Sequence, residues 1–225
     1  MENPTRAEQI ANRLRRDILR GNLPPASAVK ERDNATEMGV SRTPMREAIR
    51  ILAQEGLVIL RPSRSPIVAN PSFREISDAV SVLLALEILS VELACKNATQ
   101  ADFAAIRAIN DQMAETYDQA DPLDLFEIDM SFHTAIARAS HNQALAETHH
   151  DYLARLWRAR FLAARQRRNR ERVINHHTAI MDGIESRDPA AAKTALVIHL
   201  GQLSEDIRPF IDQQDKPVKN QTASH

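Results

Sequence analysis

The sequence predicts a mainly α-helical protein in two parts, a compact front module carrying one small β-hairpin and an all-helical bundle behind it. Three observations carry this. Apolar residues recur at helical spacing along most of the chain. Residues 57–69 break that rhythm with two short β-like runs around a polar turn. The texture then changes at Asn70–Pro71, which sets domains at 1–70 and 71–225. The 225 residues suffice for one large or two small domains without disulfide staples.

Ile10, Leu14, Ile18 and Leu19 share a helical face that ends at Gly21. LPPAS, residues 23–27, reads as a loop. A short helix is expected from about Lys30 to Met38, then a turn at Gly39–Val40. Ser41 is placed to cap the next helix, about 42–55, which Gly56 stops. Leu57–Leu60 and Ile67–Ala69 form the hairpin. Behind it, Ser72 and Glu75 make a capping box that opens a long helix to about Lys96. Thr99 and Asp102 open another. Asp121–Pro122 pairs an N-cap with proline at the first helical position. The helix it starts carries Asp129 and His133. Asn142 begins a long stretch through about Arg168, and a helix follows over 171–186. Asp188–Pro189 starts a final helix to about Gln213. The bundle is thus expected to hold about six helices.

Composition narrows the function. Five glycines argue against a Gly-rich phosphate loop, and one cysteine, Cys95, excludes an internal disulfide or a Cys-based zinc cluster. No apolar run reaches the ~18 residues of a membrane span, and MENPTRAEQIANRLRRDIL has no apolar signal region. The chain therefore reads as cytoplasmic, with no membrane partner. The net charge of -1 hides a gradient, because residues 1–70 carry +4, residues 71–225 carry -5, and all eight histidines lie in the second part. A basic front suits a polyanion. A histidine-bearing back suits metal or proton chemistry.

Two helices joined at Gly39, the second headed by SRTPMREA, form a helix-turn-helix pattern. Its recognition helix would enter the major groove of double-stranded DNA with its N-terminal residues toward the bases. Ser41, Arg42, Thr43 and Arg46 sit there, and Arg32 lies on the preceding helix. Arg61 and Arg64 fall near the hairpin tip, where a wing would meet the backbone or minor groove. The bland alternative is a small helical domain with solvated arginines.

VKERDNATEMGVSRTPMREAIRILAQEGLV resembles the winged helix-turn-helix of GntR-type bacterial transcription regulators. Glu31, Gly39, Ser41, Arg42, Thr43, Pro44, Arg46, Glu47, Ala48, Glu55 and Gly56 are among the matching positions. The helical remainder is similar to the FCD effector domain of the FadR subgroup. The resemblance implies that Arg32, Arg42, Thr43 and Arg46 face an operator. Two positions depart from the pattern. Asn34 replaces a usual Leu, and the wing tip PSRSP lacks the usual Gly, with Ser65 in its expected place.

Asp129 and His133 share a helix face, and His177 and His199 lie on two later helices. A bundle can point all four into one cavity. One carboxylate and three imidazoles suit Zn²⁺, Ni²⁺, Mn²⁺ or Fe²⁺. Each histidine could equally be an ordinary core or surface residue. The resemblance favours the metal, because D-x3-H, then H-x-x-I, then H-L 22 residues on follows the FCD pattern at Asp129, His133, His177 and His199. His176 points elsewhere, about 100° around its helix. His141, His149 and His150 match nothing and read as surface. The family often holds an organic-acid effector with an Arg on the first bundle helix, where this chain has Leu83 or Leu84. An acid effector would then need another cation. The helix stretch Arg155–Arg172 holds eight arginines, read mostly as solvated or interfacial. Asn142, Tyr152 and Arg155 are the effector-site candidates.

The resulting expectation is a homodimeric transcription regulator, not an enzyme, that senses a small carboxylate through a divalent transition metal. Two rivals are a constitutive DNA-binding protein with a structural metal and a metal-dependent hydrolase.

Overall fold

The computed structural model describes residues 4–166 and 169–214. Its front module comprises α1 (Arg6–Arg20), α2 (Glu31–Glu37), α3 (Arg42–Gln54), β1 (Val58–Arg61) and β2 (Arg64–Val68). Ile10, Leu14 and Ile18 of α1 meet Met45, Ile49 and Leu52 of α3 and Val58 and Val68 of the hairpin in one closed core. The backbone of residues 26–29 adds a third edge, because Val29 N–H donates to Pro66 O and Val68 N–H to Ser27 O. The stretch read as loop therefore braces the hairpin.

The strands lie one to three residues from their expected places and pair Val58 with Val68 and Arg61 with Arg64. The two-residue turn between them is Pro62–Ser63, with Ser63 at φ 54°. This corrects the assignment at the wing tip. A turn with proline first and a left-handed second residue is the type that prefers Gly second, so Ser63 rather than Ser65 occupies the position that favours glycine.

The bundle follows as α4 (Phe73–Asn97), α5 (Gln100–Thr116), α6 (Pro122–Ala139), α7 (Gln143–Gln166), α8 (Arg170–Glu185), α9 (Pro189–Leu200) and α10 (Leu203–Gln214). Capping boxes at Ser72–Glu75 and Thr99–Asp102, and Asp-Pro starts at Asp121 and Asp188, open their helices as their chemistry dictates. The expected final helix is in fact two. Gly201 ends α9, and its amide donates back to Val197 O. The described residues thus form seven bundle helices where six were expected. No helix among them is long and apolar enough to cross a membrane.

The two parts are packed together rather than strung on a linker. Leu19 of α1 is buried against Ile76, Val80 and Leu83 of α4 and Leu123 and Phe126 of α6. Arg15 of α1 lies over the Trp157 ring of α7. Arg16 and Arg20 pair with Asp121, Asp124 and Glu127 at the N-terminal end of α6. Leu83 closes the face of α4 with core, and neither it nor Leu84 reaches the cavity described below.

Candidate metal centre and nucleic-acid interface

In the front module, α3 presents Arg42, Thr43 and Arg46 in its first turns, all exposed. Arg32, Ser41 and Arg64 are exposed as well. Ser41 sits at the N-cap of α3 but its hydroxyl makes no capping bond. That leaves the first-turn N–H groups and the hydroxyl open to an anion. Glu31 at the start of α2 organises the arginines. Its carboxylate accepts from Arg42 Nε at 3.1 Å and from Arg46 Nε and Nη2 at 3.2 and 3.1 Å. Hydrogen bonding from Arg46, then Arg42, holds the Glu31 carboxyl below its ordinary range against a smaller effect of burial. Arg61 is turned inward, with its guanidinium donating to Ser65 O.

In the bundle, α6, α8 and α9 bring Asp129, His133, His177 and His199 together, with one ligand atom of each within 4.8 Å of the others. His177 Nε2 lies 3.2 Å from Asp129 Oδ1 and 3.3 Å from His199 Nε2. Ligands held about 2.0–2.1 Å from one ion stand about 3.0–3.4 Å apart, so the approaches of His177 to Asp129 and to His199 are compatible with a shared ion. Phe132 stacks on the His177 ring at 4.0 Å between centroids and fixes its plane. Burial, and then the neighbouring rings, push His199 well below its ordinary value. Burial likewise lowers His177, although Asp129 partly opposes it. Asp129 is held down by His177 and His133 against the upward push of burial. One carboxylate and three imidazoles, two of them with lowered proton affinity, make a donor set that fits a divalent transition metal.

A cavity of about 120 Å³ opens beside this cluster. Asp129 and His199, the two members of the cluster that keep some exposure, line it. Arg160 of α7 lines it too. Its Nη2 is 3.7 Å from Asp129 Oδ2, its side chain is 5% exposed, and its Nη1 is buried with no hydrogen-bond partner. Met113, Leu125 and Val173 form an apolar wall.

Several sequence readings change here. His149 is not a surface residue. It is fully buried, and its Nε2 lies 3.0 Å from Glu87 Oε1, because α7 packs against α4 at this point. His141 and His150 are exposed. Asn142, Tyr152 and Arg155 do not line the cavity. Asn142 caps α7 by accepting from Leu145 N–H. Arg155 lies over the Tyr152 ring and against Gly56 of the front module. Among the eight arginines, Arg160, Arg165 and Arg172 line the cavity, while Arg167 and Arg168 lie outside the described residues. Arg160 and Glu87 were missed. One sits among seven other arginines between positions 155 and 172, and the other is a lone acid in the apolar run LLALEILS.

Residues 6–68 match the family described as bacterial regulatory proteins, gntR family, and residues 78–202 match the FCD domain. The chain is similar to the HTH-type transcriptional repressor RspR of Escherichia coli (strain K12), 27% identical over 208 residues, covering 92% of this chain and 91% of the relative. Its fold is similar to that of E. coli McbR/YncC, with a TM-score of 0.75 at 20% identity, covering 95% of this chain and all of the other. A GntR transcriptional regulator from Rhodococcus sp. RHA1 gives a TM-score of 0.73 at 22% identity, covering 92% and 99%.

Proposed function

This chain belongs to the GntR family of bacterial regulatory proteins and carries an FCD domain, and on that basis we propose a transcription regulator whose operator affinity answers to a small carboxylate held at a metal centre. Asp129, His133, His177 and His199 hold the ion. One observation carries the reading. The two cluster members with residual exposure, Asp129 and His199, are the two that line the cavity, beside the buried and half-unpartnered Arg160. An ion held by these four residues would supply a Lewis acid at the edge of the cavity. Arg160 supplies the cation that Leu83 and Leu84 do not.

Arg32, Ser41, Arg42, Thr43, Arg46 and Arg64 are the DNA-facing set, with Glu31 aligning Arg42 and Arg46. Two half-sites about one helical turn apart require two reading helices, hence a homodimer. Val82 and Leu89, seven residues apart on α4 and 39% and 41% exposed, give that helix an outward apolar face suited to a second copy.

The test is thermal unfolding of the full chain, as Zn²⁺-loaded and chelated protein, against a panel of mono-, di- and tricarboxylates. A ligand that binds only the folded state raises the midpoint by mass action. An acid is expected to raise it only with metal present, and Arg160→Met is expected to abolish that response. A metal-dependent midpoint with no acid response would favour a structural ion instead.

A further inference from the structure

We propose that Glu87, backed by His149, is the positioning carboxylate of the metal centre, receiving His133 Nδ1–H and so turning His133 Nε2 onto the ion. The inference rests on reading Asp129, His133, His177 and His199 as a metal site.

The geometry is specific. Glu87 Oε1 lies 3.1 Å from His133 Nδ1 and 3.0 Å from His149 Nε2. A neutral imidazole carries one N–H, so placing it on Nδ1 toward a carboxylate leaves Nε2 as the lone-pair donor. Both His133 nitrogens are buried without a hydrogen bond of good geometry, and Nδ1 is the one that stands beside a carboxylate, 3.1 Å from Glu87 Oε1. Nε2 is thus the nitrogen left for an ion. Carboxylate–histidine–metal arrangements of this kind fix the ring's orientation and raise its basicity.

Stability alone does not account for the arrangement. Glu87, His133 and His149 all show 0% exposure. Burying ionisable groups together is commonly no better for folding than a well-packed apolar trio. The three residues come from α4, α6 and α7, so the carboxylate ties those helices to a ligand of the centre. His149 Nε2 approaches the same oxygen, Glu87 Oε1, from α7.

Zn²⁺ affinity of the full chain by competition with a chromophoric chelator provides the test, alongside the unfolding midpoint of the metal-free protein and the ¹⁵N imidazole spectrum of the Zn²⁺-loaded protein. Glu87→Gln is expected to weaken Zn²⁺ binding roughly 10–100-fold, leave the metal-free midpoint unchanged or higher, and lose the single Nδ1–H tautomer of His133. His149→Gln is expected to shift affinity in the same direction by a smaller factor. Wild-type affinity in Glu87→Gln overturns the proposal, as does a weakening matched by equal loss of metal-free stability. If the wild type binds Zn²⁺ no better than His177→Ala, the four-residue site itself is wrong and the proposal falls with it.

Discussion

His177 is fully buried with its Nε2 against Asp129 and His199, and its surroundings keep it neutral. Burial lowers both its proton affinity and that of His199. In the unfolded chain an imidazole titrates near about 6.5. Between that value and the lower folded one, the unfolded state binds more protons, so stability rises with pH across the window and falls as pH drops below about 6.5. Asp129 acts in the same direction further down. Its carboxyl is depressed in the fold, so its contribution is present above the unfolded value near 3.9 and is lost as pH falls below it. The metal-free protein is therefore expected to melt at a lower temperature at pH 5 than at pH 7.5, with a further loss below pH 4. Zn²⁺ affinity is expected to fall over the same upper window as protons compete for the rings. Calorimetry across that range checks this, and a flat profile between pH 7.5 and 5 would mean that the two rings take up protons as readily in the fold as in the unfolded chain. The cluster was legible because Asp129 and His133 lie one helical turn apart and the rest follows a family spacing. Glu87 and His149 were not, because their meeting is made by packing α4 on α7 and no interval encodes it. The available signal was a carboxylate on the stripe Leu83, Glu87, Ser90, Val91 and Ala94, every other member of which is a buried small or apolar residue.

At the scale of elements, the spacing of α8 and α9 decides whether His177 and His199 can share an ion. Gly183 sets that spacing. A Cβ added there would lie 2.5 Å from the Ala192 backbone nitrogen, so the two helices touch backbone to backbone one and a half turns from His177. Gly183→Ala must push α9 away. Overpacking of this sort costs about 1–3 kcal/mol, and urea unfolding of the metal-free protein is expected to show a loss in that range. Zn²⁺ affinity should fall as well, because the 3.3 Å approach of the two imidazole nitrogens depends on the same contact. Undiminished Zn²⁺ affinity would show that the histidines adapt independently of the helix packing. Helix starts were the most readable feature of the chain, since Ser72, Thr99, Asp121 and Asp188 announce themselves through the hydrogen bonds their side chains offer. The break at Gly201 was not readable, because a glycine within an apolar-periodic run is tolerated by many helices. The wing tip was half readable. Pro62 marked the turn, but which serine takes the left-handed conformation depends on strand register.

Across the whole molecule, α6 is one of three elements, with α4 and α7, through which the bundle and the front module meet. Its middle carries Asp129 and His133, and its N-terminal end carries Asp121, Asp124 and Glu127, which receive Arg20 and Arg16 of α1. Arg16 Nη2 is 2.5 Å from Asp124 Oδ1 and Arg16 Nη1 is 2.7 Å from Glu127 Oε2. Helix α1 packs on α3, the proposed recognition helix, through Leu14 and Ile18. A shift of α6 on effector binding would therefore reach the arginines proposed to face DNA through two packed helices and the ion pairs between α1 and α6. These pairs are partly exposed, with Arg16 at 30%, Asp124 at 51% and Glu127 at 34%. Such pairs contribute at most about 1 kcal/mol to stability, so breaking them should leave the fold and the metal centre intact. Effector coupling typically changes affinity about 5–150-fold, and changes along the connecting elements alter it by about 0.5–2 kcal/mol. Arg16→Ala is accordingly expected to keep wild-type Zn²⁺ affinity and effector affinity in the absence of DNA. It should compress the ratio of operator affinities with and without effector by roughly 2–30-fold. Fluorescence anisotropy on an in vitro selected operator measures that ratio directly. An unchanged ratio would move the route of coupling away from α1 and α6, to the contact of Arg155 with Gly56 or to the proposed approach of a second copy along α4.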